Sequence, residues 1–191
     1  MLFNSFDFAV FLPLVYLLYW FLFQKHLKLR NFFLLTASYV FYGFWDWRFL
    51  SLILISSLMD YILAMQIHAT QPEQKNKRKV LLVLSLVLNL GFLGFFKYYN
   101  FFVESFIATF TLFGKEFSYS PMHIILPVGI SFYTFQSLSY TLDVYFKKME
   151  PTRNLINFLA FVSFFPQLVA GPIERAKNLL PQFDEVKHFD Y

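Results

Sequence analysis

The carboxylates inside or beside apolar runs of this 191-residue sequence include Asp46, Asp60, Glu104 and Asp143. On insertion scales a charge at the centre of a bilayer costs roughly 2.5–3.5 kcal/mol, so an acid in such a run marks either a functional site or a polar contact between helices. Both readings stand for Asp60 and Asp143, while Glu104 fits the contact better and Asp46 lies in an interfacial turn. Gln136, Tyr140 and Asp143 follow one another at spacings of four and three, which places them on one face of a helix. A polar stripe facing lipid would be expensive, so this face is expected to point inward, towards a tunnel or a partner helix.

Other chemistry is sparse. His26, His68 and His188 lie in polar segments and His123 opens an apolar one; none pairs at metal-ligand spacing, and no His-Glu-x-x-His pattern occurs. They read as solvated or interfacial histidines. Serines within apolar runs, such as Ser56, Ser57 and Ser131, suit bonds to their own helix better than nucleophilic attack. There is no cysteine and no glycine-rich phosphate loop, so thiolate chemistry, cysteine metal sites and palmitoylation are excluded. The sequence alone therefore assigns no catalytic residue, no metal site and no bound cofactor.

The elements that hold these residues are hydrophobic helices. Hydrophobic residues make up 58% of the chain and aromatic residues 23%, more apolar than a soluble domain carries. Phe6–Phe23 is long enough to cross ~30 Å of hydrocarbon. No Lys or Arg precedes Lys25, so this run lacks the basic start of a cleavable signal peptide and reads as a retained span. Apolar runs follow over Phe32–Phe44, Phe49–Ile67, Val80–Phe96 and Phe101–Phe113, with an expected tight polar turn at Lys97–Asn100.

Lys25, Lys28 and Arg30 follow the first run, and Lys75, Lys77, Arg78 and Lys79 follow the third, whereas the second and fourth are followed by Arg48 and Lys97 alone. This alternation predicts five crossings with the N-terminus outside, and it makes the basic patch a cytoplasmic loop rather than a nucleic-acid surface. Ile124–Phe146 disturbs the pattern, because a sixth plain crossing would put Lys147, Lys148 and Arg153 outside. Pro127 and Gly129 predict a broken or re-entrant path there. Pro166 and Gln167 interrupt the last apolar run, Leu155–Ala170, and Glu174–Tyr191 reads as a polar surface tail. The fold class is an all-α polytopic transmembrane helix bundle with broken or re-entrant segments in its C-terminal third.

Two stretches carry a resemblance. Residues 126–145, LPVGISFYTFQSLSYTLDVY, and 161–175, FVSFFPQLVAGPIER, resemble the signature of the membrane-bound O-acyltransferase family, in the bacterial branch of alginate O-acetylation and teichoic acid D-alanyl transfer. Supporting matches are MLFNS at 1–5, SYVFYGFW at 38–45, Asp60-Tyr61, FKYYN at 96–100 and LLPQF at 179–183. The resemblance covers nearly the whole chain. Members of the family are more than twice as long and carry their catalytic histidine in the second half. Residues 1–191 are therefore expected to form the N-terminal part of one membrane-embedded acyltransferase domain, with the C-terminal half absent.

For the parent, the resemblance implies transfer of an acyl group, expected to be acetyl, from a cytoplasmic thioester donor (acetyl-CoA or an acyl carrier protein) to a cell-surface polysaccharide hydroxyl. Implied partners are membrane lipids, the extracytoplasmic polysaccharide and a periplasmic or extracellular acyl-transfer protein, at the inner membrane of the cell. Gln136, Tyr140, Asp143, Gln167, Arg175 and Asp60 are the expected tunnel or support residues. A transporter or channel component with a midplane polar site is the rival reading, since discontinuous helices with buried acids also build such sites. An inactive fragment is the third.

Overall fold

The structure is a computed structural model, and it describes residues 4–112, 124–168, 171 and 174–186. Its elements are helical: α1 (Phe6–Leu17), α2 (Leu27–Asp46), α3 (Leu50–Ala69), α4 (Lys75–Leu112), α5 (Ile130–Tyr145), α6 (Leu155–Val162), α7 (Phe165–Leu168) and α8 (Ala176–Asp184). Among the described residues, three stretches are long and apolar enough to cross a membrane, Phe6–Phe23, Leu27–Ala69 and Lys75–Thr111. The second contains two helices, because the backbone leaves the helical region at Asp46 (φ −160°, ψ 108°) and turns through Trp47–Phe49. Arg48 locks that turn through a 2.6 Å ion pair with the Asp46 carboxylate. The transmembrane helix bundle expected from composition is thus the observed fold.

α1 packs at the periphery through Val15, buried with Ala37, and through aromatic contacts. Ser5 caps it by accepting from the Phe8 N–H at 3.2 Å, Pro13 interrupts its ladder, and the helix widens to a π-helical turn over Leu18–Phe23. Phe11 meets Phe165 edge-on at 5.4 Å and Phe8 meets Phe41 at 5.8 Å. Most of the remaining surface of α1 is apolar and exposed, as suits lipid contact.

Three boundaries differ from the sequence expectation. The expected turn at Lys97–Asn100 does not exist, since α4 runs unbroken for 38 residues, about 57 Å at 1.5 Å per residue. Nothing in Lys97-Tyr98-Tyr99-Asn100 breaks a helix, and Asn100 uses its amide elsewhere. It donates to the Ile124 carbonyl at 2.8 Å and accepts from the Ile124 N–H at 3.0 Å. Secondly, α2 begins at Leu27 rather than in the apolar run at Phe32, so Arg30 is a helical residue and 1% exposed. Thirdly, the expected polar tail contains α8, which buries Ala176, Leu180 and Phe183 along one side. The last residues of that tail, Lys187–Tyr191, lie outside the described residues, as do His123 and His188.

Losing the turn in α4 resolves the charge pattern. α5 runs antiparallel to α4, pinned by Asn100 to Ile124 at one end and by Arg78 to the Tyr145 carbonyl, 2.8 Å, at the other. Its C-terminus therefore emerges where α4 starts, and Lys147, Lys148 and Arg153 join Lys75–Lys79 on one face. Tyr61 on α3 donates to the Arg153 carbonyl at 2.8 Å.

The expected break before α5 is present. Residues 124–127 are non-helical, and α5 starts only after Gly129, which is left-handed at φ 75°. A Cβ on Gly129 would stand 2.4 Å from the Leu168 carbonyl oxygen, so α7 presses directly on this backbone. The Val128 carbonyl accepts from the Tyr42 hydroxyl at 3.0 Å, so Tyr42 and Asn100 together satisfy backbone that has no ladder of its own.

The chain from Leu155 to Asp184 returns to where it starts. It enters at Asn154, whose side chain accepts from the Ile156 and Asn157 N–H groups, and reaches Leu168 beside Gly129. By Asp184 it is back at its entry, where Asn157 donates to the Asp184 carboxylate at 2.7 Å. Arg30 holds the end of α8 by donating to the Phe183 carbonyl at 3.0 Å and the Glu185 carbonyl at 2.9 Å, a cation placed on the negative end of a helix. Asn31 adds bonds to Asn157 and Phe183.

Gly129→Ala is expected to destabilise the purified chain in detergent by more than the ~1–2 kcal/mol of a left-handed residue, because the clash with Leu168 adds to it. Gly91→Ala, where a Cβ meets nothing within 4 Å, is expected to leave stability unchanged or raise it by up to ~1 kcal/mol. Thermal unfolding of the two variants side by side is the check; equal melting temperatures would remove the close approach.

Candidate functional site

Asp60 stands in the middle of α3 at 0% exposure, and three side chains from two neighbouring helices converge on it. Ser85 donates to Oδ1 at 2.6 Å, and Asn89 donates to Oδ1 and Oδ2 at 2.9 and 2.8 Å. Both come from α4, one turn apart. From α5, Ser137 donates to Oδ2. Among the described residues the ion pair is Arg48 with Asp46, so Asp60 is satisfied by neutral donors alone. Four donated bonds match the acceptor capacity of a carboxylate, whose desolvation they offset.

Gln136 neighbours Ser137 in the chain but faces another partner. Its amide donates to the Phe161 carbonyl at 2.7 Å and to Gln167 Oε1 at 3.3 Å, tying α5 to both arms of the α6–α7 break. The structure thus brings Gln136 and Gln167 together, 31 residues apart in sequence. Tyr140, one turn on, is fully buried with its ring 4.6 Å from that of Phe158 on α6. Asp143 is 6% exposed in the last turn of α5, and its Oδ2 is buried without a hydrogen-bond partner. Arg175 is set apart from these: it is exposed and caps α8, its carbonyl accepting from Asn178 at 2.9 Å. Ser56 bonds back to the Ile53 carbonyl at 3.1 Å.

Among the described residues no group of three His, Cys, Asp or Glu side chains converges to hold a metal ion. A cavity of about 680 Å³ is apolar and lies away from these groups, in the opening between α2 and α3 beside Leu35, Tyr39, Gly43, Leu50 and Leu54. Sequence reasoning singled out Asp60 but missed the donors Ser85, Asn89 and Ser137, as well as Asn31, Asn157 and Asn100. Ser85 and Asn89 are spaced i, i+4 in an otherwise apolar run, which is the signal that could have found them.

Asp60→Ala leaves the buried Ser85 and Ser137 hydroxyls without this acceptor, while Asn89 keeps the Ser85 carbonyl at 3.0 Å, and is expected to cost about 2–6 kcal/mol, whereas Ser85→Ala removes one bond to a carboxylate and costs about 1.5–3 kcal/mol. Denaturant unfolding of the detergent-solubilised chain reads both; a change under about 0.5 kcal/mol for Asp60→Ala would show that α3, α4 and α5 do not depend on this contact.

Comparison with known proteins follows the same lines. The chain is 43% identical over 179 residues to the probable alginate O-acetylase AlgI of Azotobacter vinelandii, covering 94% of this chain and 35% of that protein. It is 42% identical to the protein of the same name from Pseudomonas aeruginosa, covering 94% and 34%. It is 35% identical to a peptidoglycan O-acetyltransferase of Helicobacter pylori, covering 97% and 39%. The chain thus spans about a third of the length of the curated relatives it matches. No family model and no solved structure matches it. Over nearly its whole length the chain is homologous to members of the membrane-bound O-acyltransferase family, as its motifs indicated.

Proposed function

We propose that these residues form the N-terminal, membrane-embedded part of an O-acetyltransferase that moves an acetyl group from a cytoplasmic thioester to a hydroxyl of a cell-surface polysaccharide. The observation that carries this reading is 43% identity, over 94% of the chain, to a protein named as a probable alginate O-acetylase. In the reaction the acceptor oxygen bonds to the thioester carbonyl carbon, the C–S bond breaks and the thiol leaves. A histidine outside these 191 residues takes the acceptor proton, work suited to an imidazole near neutral pH. Acetyl-CoA or an acyl carrier protein is the donor; a periplasmic or extracellular acyl-transfer protein receives or relays the group. The protein sits in the inner membrane with its N-terminus outside, and the basic face is cytoplasmic.

In this reading Gln136, Tyr140, Asp143, Gln167, Arg175 and Asp60 line or support the path along which donor and acceptor meet. Irregular backbone at 124–129 and the α6–α7 break favour it, because backbone of this kind at membrane depth belongs against protein or a wet cavity. Asp143 favours it further. An acid in the C-terminal turn of a helix opposes the dipole, and its Oδ2 is left without a donor, an arrangement that packing alone gives no reason to keep.

The test uses the whole protein in membranes, with a labelled acetyl donor and polysaccharide. Asp143→Asn keeps the shape and removes the charge, and it is expected to lower transfer about tenfold or more, equivalent to about 1.4 kcal/mol, at normal membrane abundance. Wild-type activity in this variant would remove Asp143 from the path. Loss of both activity and abundance would make it a structural anchor, and no transfer by the wild-type protein would sink the reading itself.

A further inference from the structure

On the basic face, where α3 ends and α4 begins, the C-terminus of α5 closes over a cavity of about 410 Å³ lined by His68, Thr70, Arg78, Lys147, Lys148 and Glu150, with Val144 and Met149 as its apolar wall. Three permanent cations thus meet one carboxylate, and among the described residues no acid pairs with Arg78, Lys147 or Lys148. Arg78 is held in place: one nitrogen donates to the Tyr145 carbonyl and the guanidinium lies 5.4 Å over the Tyr145 ring, while Nε is buried without a partner. Lys148 is steadied 5.6 Å over the Phe146 ring.

The backbone at Lys147 points the same way. α5 ends in a Schellman closure, with Lys147 N–H donating to the Val144 carbonyl at 3.1 Å and Lys148 N–H to the Asp143 carbonyl at 2.8 Å. That closure puts Lys147 at φ 57°, a position that favours glycine, and among the described residues it is the non-glycine residue with positive φ. A long cation stands where glycine would be less strained, at the rim of a cavity whose cations already outnumber its one carboxylate, Glu150. The carbonyls of the last α5 turn are spent on Arg78, Lys147 and Lys148, so the negative end of α5 does not fill the cavity.

We propose that this cavity is a phosphate site that holds the headgroup of an anionic phospholipid. The apolar wall, the exposed Phe146 beside Lys148 and the exposed Val80 that opens the apolar length of α4 set it at headgroup level, with room for glycerol and the first acyl carbons against protein. Basic pockets between transmembrane helices bind such headgroups, at about 1 kcal/mol or roughly fivefold in affinity per Lys or Arg. The phosphate oxygens take the open donors of Arg78, Lys147 and Lys148.

The test titrates the purified chain in neutral detergent with short-chain phosphatidylglycerol, phosphatidylcholine or inorganic phosphate, reading melting temperature and lipid retained in native mass spectrometry. Phosphatidylglycerol is expected to bind and to raise the melting temperature. The double variant Lys147→Gly/Lys148→Gln is expected to bind it about 25-fold more weakly while melting, without lipid, no lower than wild type, because glycine relieves the left-handed position. Lys148→Gln alone is expected to lose about fivefold. Wild-type affinity in the double variant, or equal affinity for phosphatidylcholine, would overturn the proposal. An equal shift from inorganic phosphate at the same concentration would overturn the lipid as its source.

Discussion

Asp60 has no counter-ion among the described residues, and the four bonds it accepts from Ser85, Asn89 and Ser137 are what let a carboxyl group remain fully buried between three apolar helices. Between apolar surfaces surrounded by lipid, hydrophobicity gives little preference for one rotation of a helix over another. A buried acid does, because any register that separates it from its donors leaves several unsatisfied polar groups at once. With Asp60 fixed to α4 and α5, the ends of α3, α4 and α5 are fixed as well, and the basic residues gather on one face. The Asn100 clamp on Ile124 and the Arg78 bond to Tyr145 set the ends of the same arrangement.

A second constraint follows from the first. With α5 entering through non-helical backbone, the carbonyls and N–H groups of 124–129 need partners that a helix would have supplied; those of Ile124 find them in Asn100 and the Val128 carbonyl finds one in Tyr42. The returning chain behind them is pinned by Gln136 at depth and by Arg30, Asn31 and Asn157 at its base. Polar side chains here substitute for missing backbone ladders, and this is also where the family motifs lie.

Much of this was legible in the sequence, for local reasons. Pro127 and Gly129 forced a break before α5, Pro166 forced one after α6, and an acid at position 60 in an apolar run required company. The pairing of Gln136 with Gln167 fell among residues singled out together. What escaped depended on distant partners. Lys97–Asn100 resembles an interfacial turn because its residues are polar, yet Asn100 serves Ile124, 24 positions on, and leaves the helix intact. Arg30 reads as a loop cation until the carbonyls of α8 are set beside it, and the apolar side of α8 is masked by the polar residues between Ala176, Leu180 and Phe183.

The gathering of basic residues on one face is the geometric result on which the proposed path and the proposed phosphate site both depend. It is tested by single cysteines at Asn4, Asn76 and Glu150 in a chain that has no cysteine of its own, labelled with an impermeant thiol reagent on intact and then on permeabilised cells. Asn4 is expected to label on intact cells, and positions 76 and 150 only after permeabilisation. Labelling that places positions 76 and 150 on opposite sides of the membrane would contradict the account.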